Sequence, residues 1–335
     1  MLWLGNSSGI FLWVVLVVKS LLRGLIDGDQ IDDLRRRLYQ YPRELELLYK
    51  HMLNGVDELH RVQASKYLQI VLKSINVQLR WPLTLLQMSF ADEYDPEAVL
   101  KIPWREISDT EVASHCKRIE RRIVSRCCGL IEIENQTADH PFRPRDSAIN
   151  FLHKSVVDFL EKPETWASVT SLTAGIDYDT NLALACSCLL MLKTFSQTNL
   201  PKEVEKEFVF PLLRYCRDEE KSSGKANVGF LRELSMFFVA SGRSKGGDVS
   251  YLLSHYFGSY ARLSFKGLEQ VSTSLVLSVC HCLPLHLQEE LEACPPAYLT
   301  KDGAALLWTA VSIDVIYVAG CEFTCQPLKR RSNVS

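Results

Sequence analysis

The sequence predicts a mainly α-helical protein: a helical subdomain, a winged helix with a small β-hairpin, and then an irregular helical array. Two observations predict it. Apolar residues recur at helical spacing along most of the 335 residues, and one short stretch alternates with a period of two before a helix follows. With 47% hydrophobic residues the chain can bury about two cores. We divide it into residues 1–91, 92–165 and 166–300, with a tail over 301–335.

The first part, residues 1–91, is predicted to be a compact set of helices. Gly28 is predicted to stop the first helix, and Asp29 to cap the second. Pro42 is predicted to open a third helix, because proline is tolerated in a first turn. Helices over Glu58–Ser74 and 82–90 complete this helical subdomain.

The second part predicts a winged helix. A basic helix over Glu111–Arg126 precedes a strand over Cys128–Glu134. The polar segment Asn135–Ser147, rich in turn-forming residues, is predicted to be the wing. A second strand over Ile149–His153 then runs into a helix, whose apolar stripe contains Val156, Val157, Phe159 and Leu160. The order helix, strand, wing, strand, helix is typical of a winged helix.

His153 is the candidate binding residue. The two-residue period places it on one face with Ile149 and Phe151, at the point where the helix begins. A histidine there has two interpretations. It contacts an anion, or its side chain is satisfied within the strand-to-helix turn.

The basic helix offers a second candidate surface. Its cationic side chains form two rows, Lys117 with Arg121, and Arg118 with Arg122 and Arg126. An outward-facing stripe of this kind suits nucleic-acid phosphates. Glu111 and Glu120 dilute its charge, and the whole chain carries a net charge of −2. We therefore favour a solvated or partner-facing stripe, and keep a nucleic-acid-binding winged helix as an alternative.

The remainder is again helical in pattern, over Asn181–Thr194, Val204–Cys216 and Phe230–Ser241. Arg217–Asn227 is predicted to be an exposed linker, because it is rich in Lys, Glu, Ser and Gly. No fixed repeat period emerges, which favours an irregular array over a regular solenoid.

Cysteines and histidines give little support for a metal centre. Cys280, His281, Cys282, His286 and Cys294 are crowded and lack paired Cys-x-x-Cys spacing. We predict that no metal is bound and that these cysteines are buried. An odd count of eleven cysteines without regular spacing favours reduced thiols and a cytoplasmic location.

Three segments carry a resemblance to a known family. They are Gly9–Val18 with Leu21–Leu25, Leu45–Leu53 with Ser65–Ile70, and Phe151–Leu160, the last reading Phe-Leu-His-Lys-Ser-Val-Val-Asp-Phe-Leu. Together they resemble the region that follows the nucleotide-binding core in fungal NACHT-type STAND signalling ATPases, which are linked to heterokaryon incompatibility and innate-immunity-like signalling. The resemblance implies a regulatory module that holds the ADP-bound, closed state and contacts the ATPase core.

The resemblance also gives His153 a role. In related signalling ATPases of the Apaf and plant resistance-protein type, a winged-helix histidine in a Met-His-Asp-like motif touches the β-phosphate of ADP. His153 occupies the similar position. Lys154 departs from the motif, since it stands where the aspartate would be.

Catalytic motifs are not found in the sequence. A phosphate loop needs Gly-x-x-x-x-Gly-Lys-Ser/Thr, whereas Gly224-Lys225 is followed by Ala226. We predict a non-catalytic protein with no cofactor and no small-molecule substrate of its own. ADP or ATP would enter only with an upstream ATPase core, so we interpret the chain as a truncated relative or an incomplete gene model. Its expected partners are proteins.

The N-terminal segment Met1–Val18 imitates a transmembrane helix. Its uninterrupted apolar run, Ile10–Val18, is nine residues long, where a span needs ~20. We predict a core helix and do not expect a membrane-bound protein. A membrane-anchored helical adaptor is the alternative.

Overall fold

The computed structural model describes residues 4–77, 82–134, 147–194, 205–240 and residue 285. Within these ranges the protein is mainly helical, with 12 α-helices and one antiparallel two-stranded hairpin, as the sequence predicts. The first helices are α1 (Leu4–Ile26), α2 (Ile31–Gln40), α3 (Leu45–Asn54), α4 (Glu58–Asn76), α5 (Leu85–Asp92), α6 (Pro96–Lys101) and α7 (Asp109–Arg126). They are followed by β1 (Ile131–Glu134), β2 (Ala148–Phe151), α8 (Lys154–Leu160), α9 (Pro163–Ser171) and α10 (Thr180–Lys193). A π-helical turn (Glu205–Val209), α11 (Phe210–Ser223) and α12 (Val228–Ala240) complete the described elements.

The chain forms two compact units, Met1–Glu219 and Glu220–Ser335. The predicted division after residue 91 falls in the last turn of α5, whose packing partners α7 and α10 lie beyond it. The division after residue 165 falls within α9. The domain boundaries stay predictions.

The first unit is built around two helices that are buried on nearly every side. Residues Leu85–Ala91 of α5 and Ala183–Lys193 of α10 are all buried. These helices pack against each other, α5 also packs against α7, and α10 packs against α4. Such all-round burial explains their apolar sequences, because a surface helix would need a polar face.

The hairpin is joined to α5 through a third backbone segment. β1 pairs with β2 in antiparallel register, with Ile131 opposite Phe151. On the other side of β2, Thr84 bridges Ala148, and the Ile149 amide donates to the Leu83 carbonyl at 2.7 Å. The residues that precede α5 therefore act as a third, very short strand.

The N-terminal helices follow the predicted order with small shifts at their ends. Gly28 ends α1 with a positive φ of 96°, the left-handed conformation that glycine tolerates best. Gln30 caps α2 in place of the predicted Asp29, which instead forms an ion pair with Arg37 at 2.7 Å. The third helix begins at Leu45, after the predicted Pro42.

The predicted linker over Arg217–Asn227 is wrong over most of its length. Helix α11 continues to Ser223, and Glu219 and Glu220 are buried. The charged composition led to the wrong prediction, because the carboxylates of Glu219 and Glu220 are buried although charged residues usually face solvent. In the second unit, α12 buries Phe230, Leu231, Leu234, Phe237 and Phe238.

A buried lysine fastens α10 to the end of α6. Lys193 is 1% exposed, and its ammonium group donates to the carbonyls of Val99, Leu100 and Ile102 at 3.0, 3.1 and 2.8 Å. The last carbonyls of a helix have few partners within the helix, and the Ile102 amide reaches only Val99 among these three, at 3.3 Å, so the ammonium group adds a donor to each of them. The loop that leads to α7 is thereby held on the core.

Helix α1 lies on the outside of the first unit, with Leu12, Leu16 and Val17 turned inward. None of the helices in the described ranges has both the length and the hydrophobicity needed to cross a membrane.

Replacing Lys193 with methionine is expected to lower the free energy of unfolding by ~2–3 kcal/mol, because the side chain keeps its volume while three carbonyls lose their donor. Urea denaturation measures the change. Lys117→Met, on the exposed face of α7, is the matched control and should stay within ~0.5 kcal/mol of the wild type. Equal effects of the two substitutions would contradict the role of Lys193 in holding α10 to the end of α6.

Candidate functional site

His153 lies at the junction between the hairpin and α8. Strand β2 ends at Phe151, and the Leu152 amide still donates to the Leu130 carbonyl at 3.0 Å. His153 keeps an extended conformation, with φ −161° and ψ 155°, and serves as the N-cap of α8. Ile149 and Phe151 are buried whereas His153 is exposed. The two-residue period predicts one face for Ile149, Phe151 and His153, but only the first two are buried on it and His153 is exposed.

One nitrogen of the His153 ring is used by the helix cap. Its Nδ1 accepts the Ser155 backbone N–H at 3.1 Å. An amide can only donate, so Nδ1 carries no proton, and Ser155 Oγ at 2.9 Å must also act as a donor to it. Ser155 Oγ in turn lies 2.8 Å from the hydroxyl of buried Tyr49 on α3, which then donates to it. A directed chain from Tyr49 through Ser155 thus fixes the ring.

The hydrogen-bonded cap determines the tautomer of the histidine. With Nδ1 as acceptor, the proton of the neutral ring is on Nε2. No side chain or backbone group in the described part of the chain accepts a bond from Nε2. The junction therefore presents an exposed N–H donor, and the adjacent Lys154 is exposed as well. Within the turn, Nδ1 is bonded to Ser155, and Nε2 is the nitrogen left to meet a ligand.

Helix α7 is placed by its apolar side and by a capping box. Val112, Ile119 and Ile123 are buried, whereas Cys116 is half-buried. Ser108 and Glu111 cap each other's backbone amides at the first turn. Arg105 binds the Glu111 carboxylate at 2.6 Å and holds its pKa down to about 2.

The row formed by Arg118, Arg122 and Arg126 faces the protein. Arg118 contacts Glu93 at 2.8 Å, and Arg122 pairs with both Asp92 and Glu93. Arg126 donates to the side-chain carbonyl of Gln63, whose Nε2 donates to Asp92 at 2.8 Å. The Asp92 side chain is only 3% exposed.

The prediction of a wholly outward basic stripe is therefore wrong for Arg118, Arg122 and Arg126. Asp92 and Glu93, at the end of α5, pair with Arg118 and Arg122, and Arg126 is bonded to the Gln63 side chain, so the three arginines do not form an outward phosphate-binding row in this arrangement. Lys117 and Arg121, the second row, are exposed as predicted. Two cations one turn apart form a much smaller surface than the five proposed from the sequence.

A cleft of about 240 Å³ opens beside this cluster. Its apolar walls include Phe90, Ile102 and Leu190, and its polar wall includes Ser89 and His115. Ser89 Oγ and an Arg118 nitrogen lie 2.9 and 3.0 Å from His115 Nδ1. Since arginine only donates, His115 is neutral with Nδ1 as the acceptor. Burial, together with the Arg118 charge, lowers the pKa of His115 below its ordinary value.

Cysteine chemistry does not mark a site in the described residues. Burial raises the pKa values of Cys127 and Cys188. Thiols of this kind are poor nucleophiles, because the thiolate is the reactive form. The described ranges hold no group of His, Cys, Asp and Glu able to bind a metal ion, and the cluster over 280–294 lies outside them.

Sequence reasoning missed the residues that set the orientation of these groups. The hydroxyl bond of Tyr49 to Ser155 links segments far apart in the chain, and local spacing gives no sign of it. Asp92 and Glu93 lie 25 to 30 residues before the arginines that they bind, and the helical pairing rule covers only residues three or four positions apart.

Residues 55–203 match a family model described as a domain of unknown function, DUF7791. The match spans α4 to α10 and includes His153 and the whole arginine row. No curated protein matches the chain, and no solved structure does so either.

Arg122→Ala is expected to lower the free energy of unfolding by ~2–4 kcal/mol, because it leaves the Asp92 carboxylate buried without its cation. The neighbouring Arg121→Ala removes the same side chain from the exposed face and should change it by less than ~0.5 kcal/mol. Chemical denaturation of both variants measures the difference. A similar loss in both would show that α7 faces the protein differently.

The protein is expected to lose stability as pH falls, in part through His115. Its folded-state pKa lies below the unfolded value of ~6.5, so the unfolded chain binds protons more readily. The contribution is complete above the unfolded pKa and declines below it. Urea denaturation from pH 7.5 to 5.5 should show a shallower decline for His115→Gln, which keeps an acceptor for Arg118. Identical slopes would contradict the neutral histidine.

Proposed function

We propose that this protein is a non-catalytic regulatory module that acts through protein contact, docking on a nucleotide-binding ATPase core and stabilising the core's ADP-bound state. His153 is the residue that senses the nucleotide in this proposal. The core can belong to the same polypeptide or to a second one, and the setting is cytoplasmic signalling of the fungal NACHT type.

One observation carries the proposal: the cap at α8 leaves His153 with an outward N–H donor. Nδ1 is held by the Ser155 amide, and Ser155 is held by buried Tyr49. The ring therefore does not need to reorient when an acceptor arrives. An exposed donor beside Lys154 suits a phosphate oxygen.

Two further points support the setting. Domains of the matched family occur in fungal NACHT-containing proteins. The sequence segments 9–25, 45–70 and 151–160 resemble the region downstream of the core in such proteins. The lysine at 154, in the place of the motif's aspartate, adds positive charge near the phosphate instead of a second acceptor.

The size of the expected effect follows from the type of bond. A hydrogen bond to a charged group contributes ~1.5–3 kcal/mol. If this bond exists only in the closed state, it shifts the closed/open equilibrium by ten-fold or more. ADP would then leave the core correspondingly more slowly.

The test uses the full chain and the isolated nucleotide-binding core of a fungal NACHT protein whose following segment matches the same family. The core is loaded with fluorescent ADP, and its release is timed with and without the chain. We expect the wild-type chain to slow release at least ~10-fold.

His153→Ser separates the two roles of the histidine, because serine retains an N-cap acceptor but lacks the outward N–H. It should keep the thermal stability of the protein and abolish the slowing of ADP release. Asp158→Asn, on the exposed side of the same helix, is the matched control and should behave as the wild type. A wild-type chain that leaves release unchanged, or a serine variant that still slows it, would rule out the proposal.

A further inference from the structure

The cleft beside the arginine row has walls that are held together by several bonds. It lies between the end of α5, the loop from α6 to α7, the first half of α7 and the end of α10. Lys193 of α10 donates to three carbonyls at the end of α6, and its own carbonyl accepts the Arg105 amide at 3.1 Å. Arg105 in turn binds Glu111 of α7 at 2.6 Å. The cleft therefore has a fixed shape, which is usual for small-molecule sites.

The inside of the cleft is small and mainly apolar. Its apolar side chains are those of Phe90, Ile102, Pro103, Ile107 and Leu190. Phe90 and Leu190 are nearly buried, whereas Ile102 is 40% exposed. The volume of about 240 Å³ is slightly below the ~300–1,000 Å³ of sites for drug-sized ligands. The cleft therefore suits a small molecule with a large apolar part, because burial of apolar surface is favourable.

His115 places one unused hydrogen-bond donor on the wall of the cleft. Its Nδ1 is the acceptor for Ser89 Oγ and Arg118, at 2.9 and 3.0 Å, so the proton of the neutral ring is on Nε2. In the described part of the chain Nε2 has no acceptor, and it is not enclosed by protein. The ring also packs edge to face with Phe90, with 5.3 Å between the ring centres. A ligand with an acceptor therefore gains a hydrogen bond from a ring that is already in place.

The charges that line the cleft are already balanced. Apart from His115, the ionisable side chains on its described walls are Glu93, Arg105, Glu111 and Lys193. Glu93 binds Arg118 at 2.8 Å, Glu111 binds Arg105, and the Lys193 ammonium group binds backbone carbonyls. A charged ligand would have to compete with one of these contacts, whereas an uncharged acceptor needs only the His115 donor.

We propose that the cleft binds a small, uncharged and mainly apolar molecule, whose carbonyl oxygen accepts a hydrogen bond from His115 Nε2. The apolar part of this molecule lies against Phe90 and Leu190. None of the cleft residues takes part in the proposed contact of His153 with a nucleotide, so the two proposals are independent.

Photolabelling of the full chain with benzophenone tests the site. Benzophenone is an uncharged aromatic ketone, and under near-ultraviolet light it bonds to C–H groups that lie next to its carbonyl. We expect labelling that saturates with concentration and that mass spectrometry assigns to residues lining the cleft, such as Ile102, Ile107 and Leu190. Diphenylmethane, which has the same two rings without the carbonyl, is the matched ligand, and its binding is measured by competition with benzophenone.

Two substitutions separate the hydrogen bond from the apolar contact. His115→Phe keeps a ring of similar size but removes the donor, so it should weaken benzophenone binding about five-fold. Unchanged binding of diphenylmethane shows that the cleft is intact in this variant. Ile102→Asp places a charge beside the apolar part and should weaken both ligands at least ~10-fold. Leu22→Asp, on the exposed side of α1, is the matched control and should be labelled as the wild type is.

Three results would overturn the proposal. Labelling that does not saturate, or that falls on residues outside the cleft, shows that the cleft is not a specific site. An unchanged affinity for benzophenone in the His115→Phe variant excludes the hydrogen bond. Labelling that Leu22→Asp removes and Ile102→Asp retains assigns the probe to the exposed side of α1.

Discussion

The carboxylate of Asp92 is nearly buried at the end of α5, and its charge has to be balanced there. Arg122 supplies the cation, and Gln63 donates a further hydrogen bond from α4. Gln63 is itself held by Arg126, one turn beyond Arg122 on α7. One buried charge thereby fixes how α4, α5 and α7 face each other. Removing either side of the pair costs far more than the exposed ion pairs Asp32–Arg35 and Asp33–Arg36 of α2 contribute.

This constraint also decides what α7 can offer to a partner. A helix in this position of a winged helix often presents its basic side to nucleic acid. Here Asp92 and Glu93 bind Arg118 and Arg122, Gln63 binds Arg126, and of the five cations considered Lys117 and Arg121 are the exposed ones. The function is better sought at the hairpin-to-helix junction, where the structure directs a hydrogen-bond donor outward.

The sequence was sufficient to predict what depends on local periodicity. The basic helix and both strands of the hairpin follow from spacing, because their apolar residues recur with the period of the element they form. Helices α5 and α10 are apolar on nearly every side, so their sequences show a continuous apolar run and no period. Spacing did not show that most of Arg217–Asn227 is helical, nor that the row of Arg118, Arg122 and Arg126 faces the protein. Whether Glu219 or Arg122 faces water depends on groups distant in the chain, and composition does not identify them. The cap role of His153 could be predicted only in part. The sequence places the residue at the start of a helix, but it does not show the hydrogen bonds from Tyr49 to Ser155 and from Ser155 to the ring.

The backbone pairing of Thr84 with Ala148 bears on how the chain reaches its fold. It joins segments that are separated by the whole of α5, α6, α7 and β1. Closing so long a loop costs chain entropy that a single bridge does not recover. We therefore expect the helices between to collapse first and bring the two segments together, so that the strand contact forms late. On this order of events the His153 junction, which depends on β2, is assembled only after the helical core is in place.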